Sequence, residues 1–492
     1  MGIKKITDVK LNVKPVFSQL IHRHAYEGPC RLGGPDMLTR EFDEHSAASK
    51  YESFCTDMKT NLPDCVNVLE PVYAEFYDDF IIPDAPIEEI IAQDSNVDFY
   101  LFDGFFQQLF AKEVARRTKK PVGIIGMMAG PDGSAYLRAM GQEAYPFIDR
   151  SDLEYTLKLL QVRKAIASTH VLLVNKNQAI ADSETSNLTH LEEIKNRLGM
   201  RTRYANLEDV LESFEEFEEE LTPESERIAK ELAEGADAIH MDCEKYTPKD
   251  VRFYLTVKKL LEKHDCNAFT IPCPEVCATR YLNNNKFLFC LTHSLLKEDG
   301  IPSSCAVDMN AMLCISLLTS LTNKAPHMGN VHPFAKDTFE KSVKSSQSNP
   351  KALRIVDDIL DMDNIVMMFH AVPTRNMHGL DKQDPYEIRN FTHSGFGTTI
   401  RYDYNRDRNE TLTMIRFDPL AKKVHLVKSK LIAGAGLDTV GCSTGFFFQV
   451  KNVKDFFKKQ GYVGHHYTWV FGDYTEEIKD LMEMLDIEVM ES

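Results

Sequence analysis

Residues 301–333 read IPSSCAVDMNAMLCISLLTSLTNKAPHMGNVHP. The stretch follows a Gly300-Ile301-Pro302 turn and begins with a corner of small residues, Ser303-Ser304-Cys305-Ala306. A lone acid, Asp308, comes next, and then an apolar run from Ala311 to Leu321, long enough for a buried helix. A second polar corner closes it at His327-Met328-Gly329-Asn330. Two polar corners joined by a buried helix bring distant loop ends to one place, which is how a rigid scaffold builds a site.

Working outward toward the N-terminus, the pattern alternates strands and helices. Val66–Leu69, Val97–Phe102 and Pro121–Gly126 read as short buried strands, with helical periodicity from Phe105 to Arg117 and a short helix at Ile87–Ile91 led by Pro86. A second alternation runs from His170-Val171-Leu172-Leu173-Val174-Asn175 through an edge strand at Arg203–Ala205. Acidic helices follow near 207–220 and 225–234, then a strand at Ala236–His240, a helix at Pro248–His264 and a strand at Ala268–Pro272. Such alternation predicts parallel sheets, with ligands beyond the carboxyl ends of their strands. From about residue 346 the texture changes. Thr411–Phe417, Lys423–Leu426 and Gly445–Val450 read as short strands of a mostly antiparallel, barrel-like β domain. The expected fold is therefore α/β: two Rossmann-like N-terminal domains (1–168 and 169–345) followed by a β domain (346–492).

Composition narrows the function classes. The net charge of −17 argues against general binding to nucleic acid or anionic membrane. No stretch has the roughly 18–20 apolar residues of a membrane span. The opening Met1-Gly2-Ile3-Lys4-Lys5 lacks the apolar core of a secretory leader, and the 11 cysteines follow no regular spacing. The expectation is a cytoplasmic protein with reduced thiols. No G-x-G-x-x-G or phosphate-binding loop occurs, so no nucleotide cofactor is expected.

Several residues could carry chemistry. Asp308 either caps the buried helix or ligates a metal. Glu275, in IPCPEVC, follows a strand and could reach a strand-end site, or simply favour a helix N-terminus. Cys305 is a buried packing residue or a nucleophile beside a histidine. Cys273-x3-Cys277 lacks the second pair that structural zinc needs. Arg31, in the glycine-punctuated loop HRHAYEGPCRLGGPD (22–36), either makes a surface salt bridge or contacts an anionic or polyol ligand. His465 and His466 are neighbours on a strand, so at most one of them faces any given site. His370, His378 and His393 fall in the same domain, each more often structural than functional.

The order of these features carries a resemblance. Two α/β units lead to Cys273-Pro274-Glu275, then to Gly300-Ile301-Pro302 with Cys305-x-x-Asp308, a buried helix, and a β domain containing His465-His466-x5-Gly472-Asp473. This resembles the L-fucose isomerase and L-arabinose isomerase superfamily, most closely its fucose-isomerase-like branch. The motifs cover about 270–335 and 410–475; the N-terminal half matches in architecture. The resemblance implies a homo-oligomer, hexameric or trimeric, that acts on a small sugar or sugar derivative. It also implies a divalent metal, usually Mn²⁺, held by a Glu, an Asp and a His, with an aldose and a ketose interconverted through an enediol.

Carried over residue by residue, the family's Glu falls on Ala306, its Asp on Asn330 and its His on His466. Ala306 offers no donor, and Asn330 offers a neutral carbonyl oxygen. That set predicts weak binding of a hard cation. Asp308, Glu275, His332, Cys305 or Arg31 could substitute, with Asn330, Cys305, Arg31, His332 and His370 as contacts to substrate. Three functions follow as expectations. The first is an isomerase-like carbohydrate enzyme with an altered metal site, using Asp308, His466 and Glu275. The second is a relative doing metal-independent proton transfer or elimination. The third is a non-catalytic sugar-binding protein.

Overall fold

A computed structural model describes residues 2–23, 37, 39–175, 184–334, 359 and 362–492. The chain divides into two compact units, Val9–Lys164 and a second made of Met1–Asp8 with Ala165–Ser492.

The first unit runs β1 (Leu11–Ile21), α1 (Arg40–Asn61), β2 (Val66–Val68), β3 (Val72–Tyr77), α2 (Asp84–Ile91), β4 (Phe99–Gly104), α3 (Gln107–Thr118), β5 (Val122–Ile125), α4 (Ala129–Ala139), β6 (Ala144–Phe147) and α5 (Arg150–Ala167), whose last turn belongs to the second unit. Its sheet has the order β2-β1-β4-β5-β6, with β3 also on β1, and every pair is parallel. Strand β4 is buried at Phe99–Phe102, the continuous apolar reading of a strand covered on both faces. Strand β1 has no clear sequence signal because Pro15 interrupts it. The register accounts for the proline. On one side β1 pairs with β2 through Leu11–Val13 and with β3 through Val16–Ile21, and Pro15 falls between the two. Helix α2 begins at Asp84, so Pro86 sits inside its first turn and not before Ile87 as its first residue.

The second unit opens with a four-stranded parallel sheet, β11-β10-β7-β8, built from β7 (His170–Asn175), β8 (Arg201–Asn206), β10 (Ala268–Ile271) and β11 (Ser303–Cys305). Between its strands lie α6 (Leu191–Leu198), α7 (Leu207–Glu216), α8 (Glu218–Glu234), α9 (Cys243–Lys263), α10 (Cys273–Ala278), α11 (Tyr281–Asn285) and α12 (Cys290–Glu298). The strand near 236–240 forms as β9 (Ala238–His240) but does not join this sheet. It pairs with β14 (Glu387–Asn390), which also pairs with β15 (Thr398–Arg401).

The 301–333 stretch crosses from one architecture to the other. It contains β11, then α13 (Met309–Thr322), then β12 (His327–Pro333). Helix α13 is buried from Met309 to Leu321, the pattern of a central helix enclosed on all sides. It ends at Asn323, whose left-handed backbone (φ 52°) suits an asparagine cap. Strand β12 belongs to a closed barrel. The barrel order is β16-β19-β12-β13-β18-β17, closed by β16 on β17, with all six pairs antiparallel. Its strands are β12, β13 (Ile365–His370), β16 (Thr411–Phe417), β17 (Lys423–Ala435), β18 (Thr444–Gln449) and β19 (His466–Phe471), with β20 (Glu488–Glu491) added on β17. Helices α14 (Val453–Val463) and α15 (Thr475–Met484) complete the unit. Val331, Met414, Phe446, Tyr467 and Trp469 fill the barrel core. Among the described residues no helix is long and apolar enough to cross a membrane.

Candidate metal centre

Three segments converge at the start of α13. The first is the corner itself. Asp308 is the N-cap, and its Oδ1 accepts from the Ala311 backbone N–H at 2.9 Å. The two residues before it, Ala306 and Val307, are both left-handed (φ 58° and 56°). That conformation costs an L-residue roughly 1–2 kcal/mol, so something must hold the turn. Asn187 does so. Its Nδ2 donates to the Val307 carbonyl at 2.7 Å, and its Oδ1 accepts from the backbone N–H groups of Met309 and Asn310.

The second segment is the strand pair β12–β19, where Asn330 lies directly opposite His466. Val331 and Tyr467 point into the barrel core, so Asn330 and His466 project from the other face. The third is the segment that carries Glu184, Ser186 and Asn187. Gly464, just before β19, lets it approach closely. A Cβ at this position (φ +91°) would lie 2.0 Å from Ser186 Oγ, so only glycine fits.

The result is a buried polar group. His466 Nδ1 lies 2.8 Å from Asp308 Oδ2 and 3.6 Å from Glu184 Oε2. An ionised carboxylate only accepts, so the His466 Nδ1–H is the donor. Among the described residues, Nε2 of His466 is buried without a hydrogen-bond partner. Arg416, near the end of β16, donates from Nη1 to Asp308 Oδ2 at 2.6 Å and to the His466 carbonyl at 2.8 Å. Its Nη2 donates to Ser186 and lies 3.8 Å from Glu184 Oε1. Asn310 ties the first turn of α13 to the same strand through both its amide atoms and Phe417. Burial alone pushes the Asp308 carboxyl upward. The Arg416 guanidinium and the hydrogen bond from His466 outweigh it and hold the group well below the usual carboxylate range. The His370 ring stacks on His466 with centroids 5.2 Å apart. Burial, followed by its histidine and lysine neighbours, keeps His370 well below the usual imidazole range.

Glu184, Asp308 and His466 each offer a ligand atom, all within 4.8 Å of one another and all buried, and the group could hold a metal ion. Two carboxylates and one imidazole form an O/N donor set suited to a divalent cation of the Mn²⁺, Fe²⁺ or Zn²⁺ type. Two carboxylates face a single guanidinium, that of Arg416, so the group leaves an excess of negative charge that a dication would offset.

The residues picked from sequence divide clearly. Asp308 and His466 come together, with Asn330 opposite His466 and His370 stacked on it. Cys305 and Ala306 sit in an apolar cluster with Met328, Ala311 and Ile315. His332 is exposed, with Nδ1 3.0 Å from the Pro333 carbonyl. Glu275 lies on α10 outside the group, one carboxylate oxygen buried without a partner among the described residues. Arg31 lies outside the described residues. Sequence reasoning missed Glu184 and Arg416. An arginine in the otherwise apolar alternation of β16 was the available signal for Arg416, whereas Glu184 has no periodic context. Compared with known protein families and with curated protein sequences, the chain matches none.

Proposed function

We propose that this protein is a carbohydrate-active enzyme of the aldose–ketose isomerase type, with Glu184, Asp308 and His466 as its working group. One observation carries the reading: two buried carboxylates and a histidine converge within 4.8 Å at the junction of a parallel sheet, a buried helix and a closed barrel. The resemblance to the fucose-isomerase-like branch assigns its ligands to positions 306, 330 and 466. Here 306 is alanine and 330 is asparagine, and Glu184 and Asp308 supply the two carboxylates from elsewhere in the chain. A divalent cation, Mn²⁺ by that resemblance, would supply polarisation of adjacent substrate oxygens. The chain's own residues do the rest. Asp308 orients the His466 ring through Nδ1 and leaves its unpartnered Nε2 as the ring's one atom able to ligate the cation, a Glu184 oxygen would exchange the substrate proton, and Arg416 stabilises negative charge that develops beside it.

The test uses native protein whose metal content is measured by mass spectrometry. Incubation with a panel of aldoses and ketoses in D₂O reports deuterium uptake at the carbon next to the carbonyl. The expected result is about one divalent ion per chain, lost in Glu184→Gln, and uptake that falls at least ~100-fold in His466→Ala. Full uptake by His466→Ala sinks the proposal.

A second reading rests on a specific contact pattern. Both Asp308 oxygens already accept hydrogen bonds, from Ala311, Arg416 and His466. This favours a metal-independent proton transfer by an Asp308–His466 pair. Deuterium uptake that survives complete chelation of metal selects this reading over the first.

A further inference from the structure

Outside that group, the second unit holds another buried guanidinium, and it is not balanced as Arg416 is. Among the described residues three arginines are buried, Arg252, Arg401 and Arg416. Arg252 pairs with Glu218 at 2.9 Å and Arg416 with Asp308 at 2.6 Å. Arg401, on β15 and without exposure, pairs with no described carboxylate, and its acceptors are all neutral. Nη1 donates to Ser443 Oγ at 3.2 Å and to Thr444 Oγ1, and Nη2 donates to the Gly441 carbonyl at 3.1 Å. Its buried Nε–H has no acceptor among the described residues, and one hydrogen of Nη2 is uncommitted. Burial pushes the guanidinium down to about 10, which leaves it charged at neutral pH. A buried charge with neutral partners alone is costly, and an anion beside it removes the cost.

Strand register brings a second arginine to the same face. In the antiparallel β14–β15 pair Arg401 lies opposite Glu387, and Arg389 lies opposite Thr399. Arg389 and Arg401 are therefore diagonal neighbours on one face, a separation that long side chains span. Ile388 and Ile400, on the other face, enter the apolar core. Arg389 also has a buried Nε without an acceptor among the described residues. Its carboxylate neighbour, Asp438, stands 3.7 Å away on the β17–β18 connection and is 37% exposed. Glu387 shares the face but is engaged by His240, whose Nε2 lies 2.9 Å from it. Gly441 and Ser443 belong to the same β17–β18 connection, and the Gly441 N–H donates to the Phe391 carbonyl just beyond β14 at 2.8 Å. The connection is thus fixed over this face. The Arg389 side chain keeps 15% exposure, so the pair opens to solvent on that side.

We propose that Arg389 and Arg401 form an oxyanion site that takes a phosphate group, either free phosphate or a monoester of a small molecule. A guanidinium holds phosphate through paired N–H donors, and both arginines keep an uncommitted Nε–H for this. Two guanidiniums match the charge of a phosphate dianion, whereas a carboxylate answers only one of them. Asp438 competes for Arg389 and turns to solvent when the anion enters. The site does not depend on what the Glu184–Asp308–His466 group binds.

Calorimetric titration of the full-length protein with inorganic phosphate, glycerol 3-phosphate and acetate, in buffer free of other oxyanions, tests it. One phosphate group per chain should bind, at least ~10-fold tighter than acetate, and should raise the midpoint of thermal unfolding. Arg389→Gln, at the solvent edge of the pair, should weaken phosphate binding at least ~10-fold and remove most of that rise. Asp438→Asn should tighten binding about threefold, since it removes the competing charge. Tighter binding of glycerol 3-phosphate than of inorganic phosphate identifies a monoester as the ligand, and the reverse order identifies free phosphate. The proposal is overturned if neither phosphate binds the wild type at ~10 mM. It is equally overturned if acetate binds as tightly as phosphate, or if Arg389→Gln binds phosphate as the wild type does.

Discussion

Two aspartates of the second unit, Asp250 and Asp308, are both without exposure, and each accepts hydrogen bonds that pin backbone. Asp250, on α9, accepts from the backbone N–H groups of Leu288 and Thr398, both at 2.7 Å. Asp308 accepts from Ala311, Arg416 and His466. Burial pushes the Asp250 carboxyl up to about 7, and the Thr398 side chain and the two N–H donors recover only part of the loss. Asp308 is equally buried, yet it is held well below the usual range because a guanidinium stands against it. Neutral donors without a cation make a structural pin that tends toward neutrality. A cation beside the carboxylate keeps it ionised in the interior, the state a metal ligand or an orienting base requires.

Removing the cation is the strongest way to break this contrast. Arg416→Met leaves Asp308 buried and uncompensated, and chemical denaturation should register a loss of about 3–5 kcal/mol. Adding Asp308→Asn to the same chain should return at least ~1 kcal/mol, because the stranded charge is then gone. Single and double variants of equal stability would mean that Arg416 acts through its contacts to Ser186 and Val463 instead of through Asp308.

The pH dependence of stability sharpens the same comparison, since the two groups act with opposite sign. The folded-state value of Asp308 lies below its unfolded value of about 3.8. Its contribution is therefore present above that value and is lost as pH falls through the folded value. The folded-state value of Asp250 is raised to about 7, so its contribution is complete below about 3.8 and is lost as pH rises through about 7. Unfolding free energies of wild type and Asp250→Asn measured from pH 4 to 8 should differ in slope by an amount on the order of 2–4 kcal/mol over the window. The variant is less stable at pH 4 and flatter above it. Parallel curves would put the titration elsewhere.

A smaller effect belongs to the turn in front of Asp308. Asn187→Ala removes a donor to Val307 and an acceptor for two helix N–H groups, all buried, and should cost about 2–3 kcal/mol in denaturation. Because the same residue fixes Glu184 relative to Asp308, divalent-ion affinity measured by calorimetry should fall with it. Unchanged affinity would separate the turn from the candidate centre.

How much of this could be read from the sequence depends on whether a signal was periodic or positional. The buried helix, the strands β4, β7 and β16 and the alternation of β with α follow from runs of apolar residues, and these were legible. Strand β1 was hidden by Pro15, which is tolerated because β1 changes partner at that point. The eventual partner of β9 was hidden because pairing across 149 residues to β14 leaves no local trace. At the site, Asp308 and His466 were legible as polar residues at the edges of apolar elements. Glu184 was not, since the contacts that place its segment beside His466, from Gly464, Arg416 and Asn187, act through three-dimensional proximity.

The smallest expected effect concerns Ala306, where the resemblance assigns a metal-binding glutamate. Its backbone is left-handed, and Val307 next to it is as well. Ala306→Gly removes the Cβ that opposes this conformation, worth about 1–2 kcal/mol. It also adds backbone freedom to the unfolded chain, which takes back roughly 0.4–1 kcal/mol. The alanine side chain is a single methyl in the cluster with Cys305 and Met328, so little burial is lost. Thermal or denaturant unfolding should therefore show Ala306→Gly to be about 0.5 kcal/mol more stable than wild type. A loss of more than about 1 kcal/mol would mean that the methyl contact, and not the left-handed turn, decides this position. Ala306→Glu keeps the same backbone penalty as alanine, so the turn itself does not bar a carboxylate there. Paired with Asn330→Asp, it should raise Mn²⁺ affinity measured by calorimetry if positions 306 and 330 face the same cation as His466. No gain would leave Glu184 and Asp308 as the only carboxylates this centre can use.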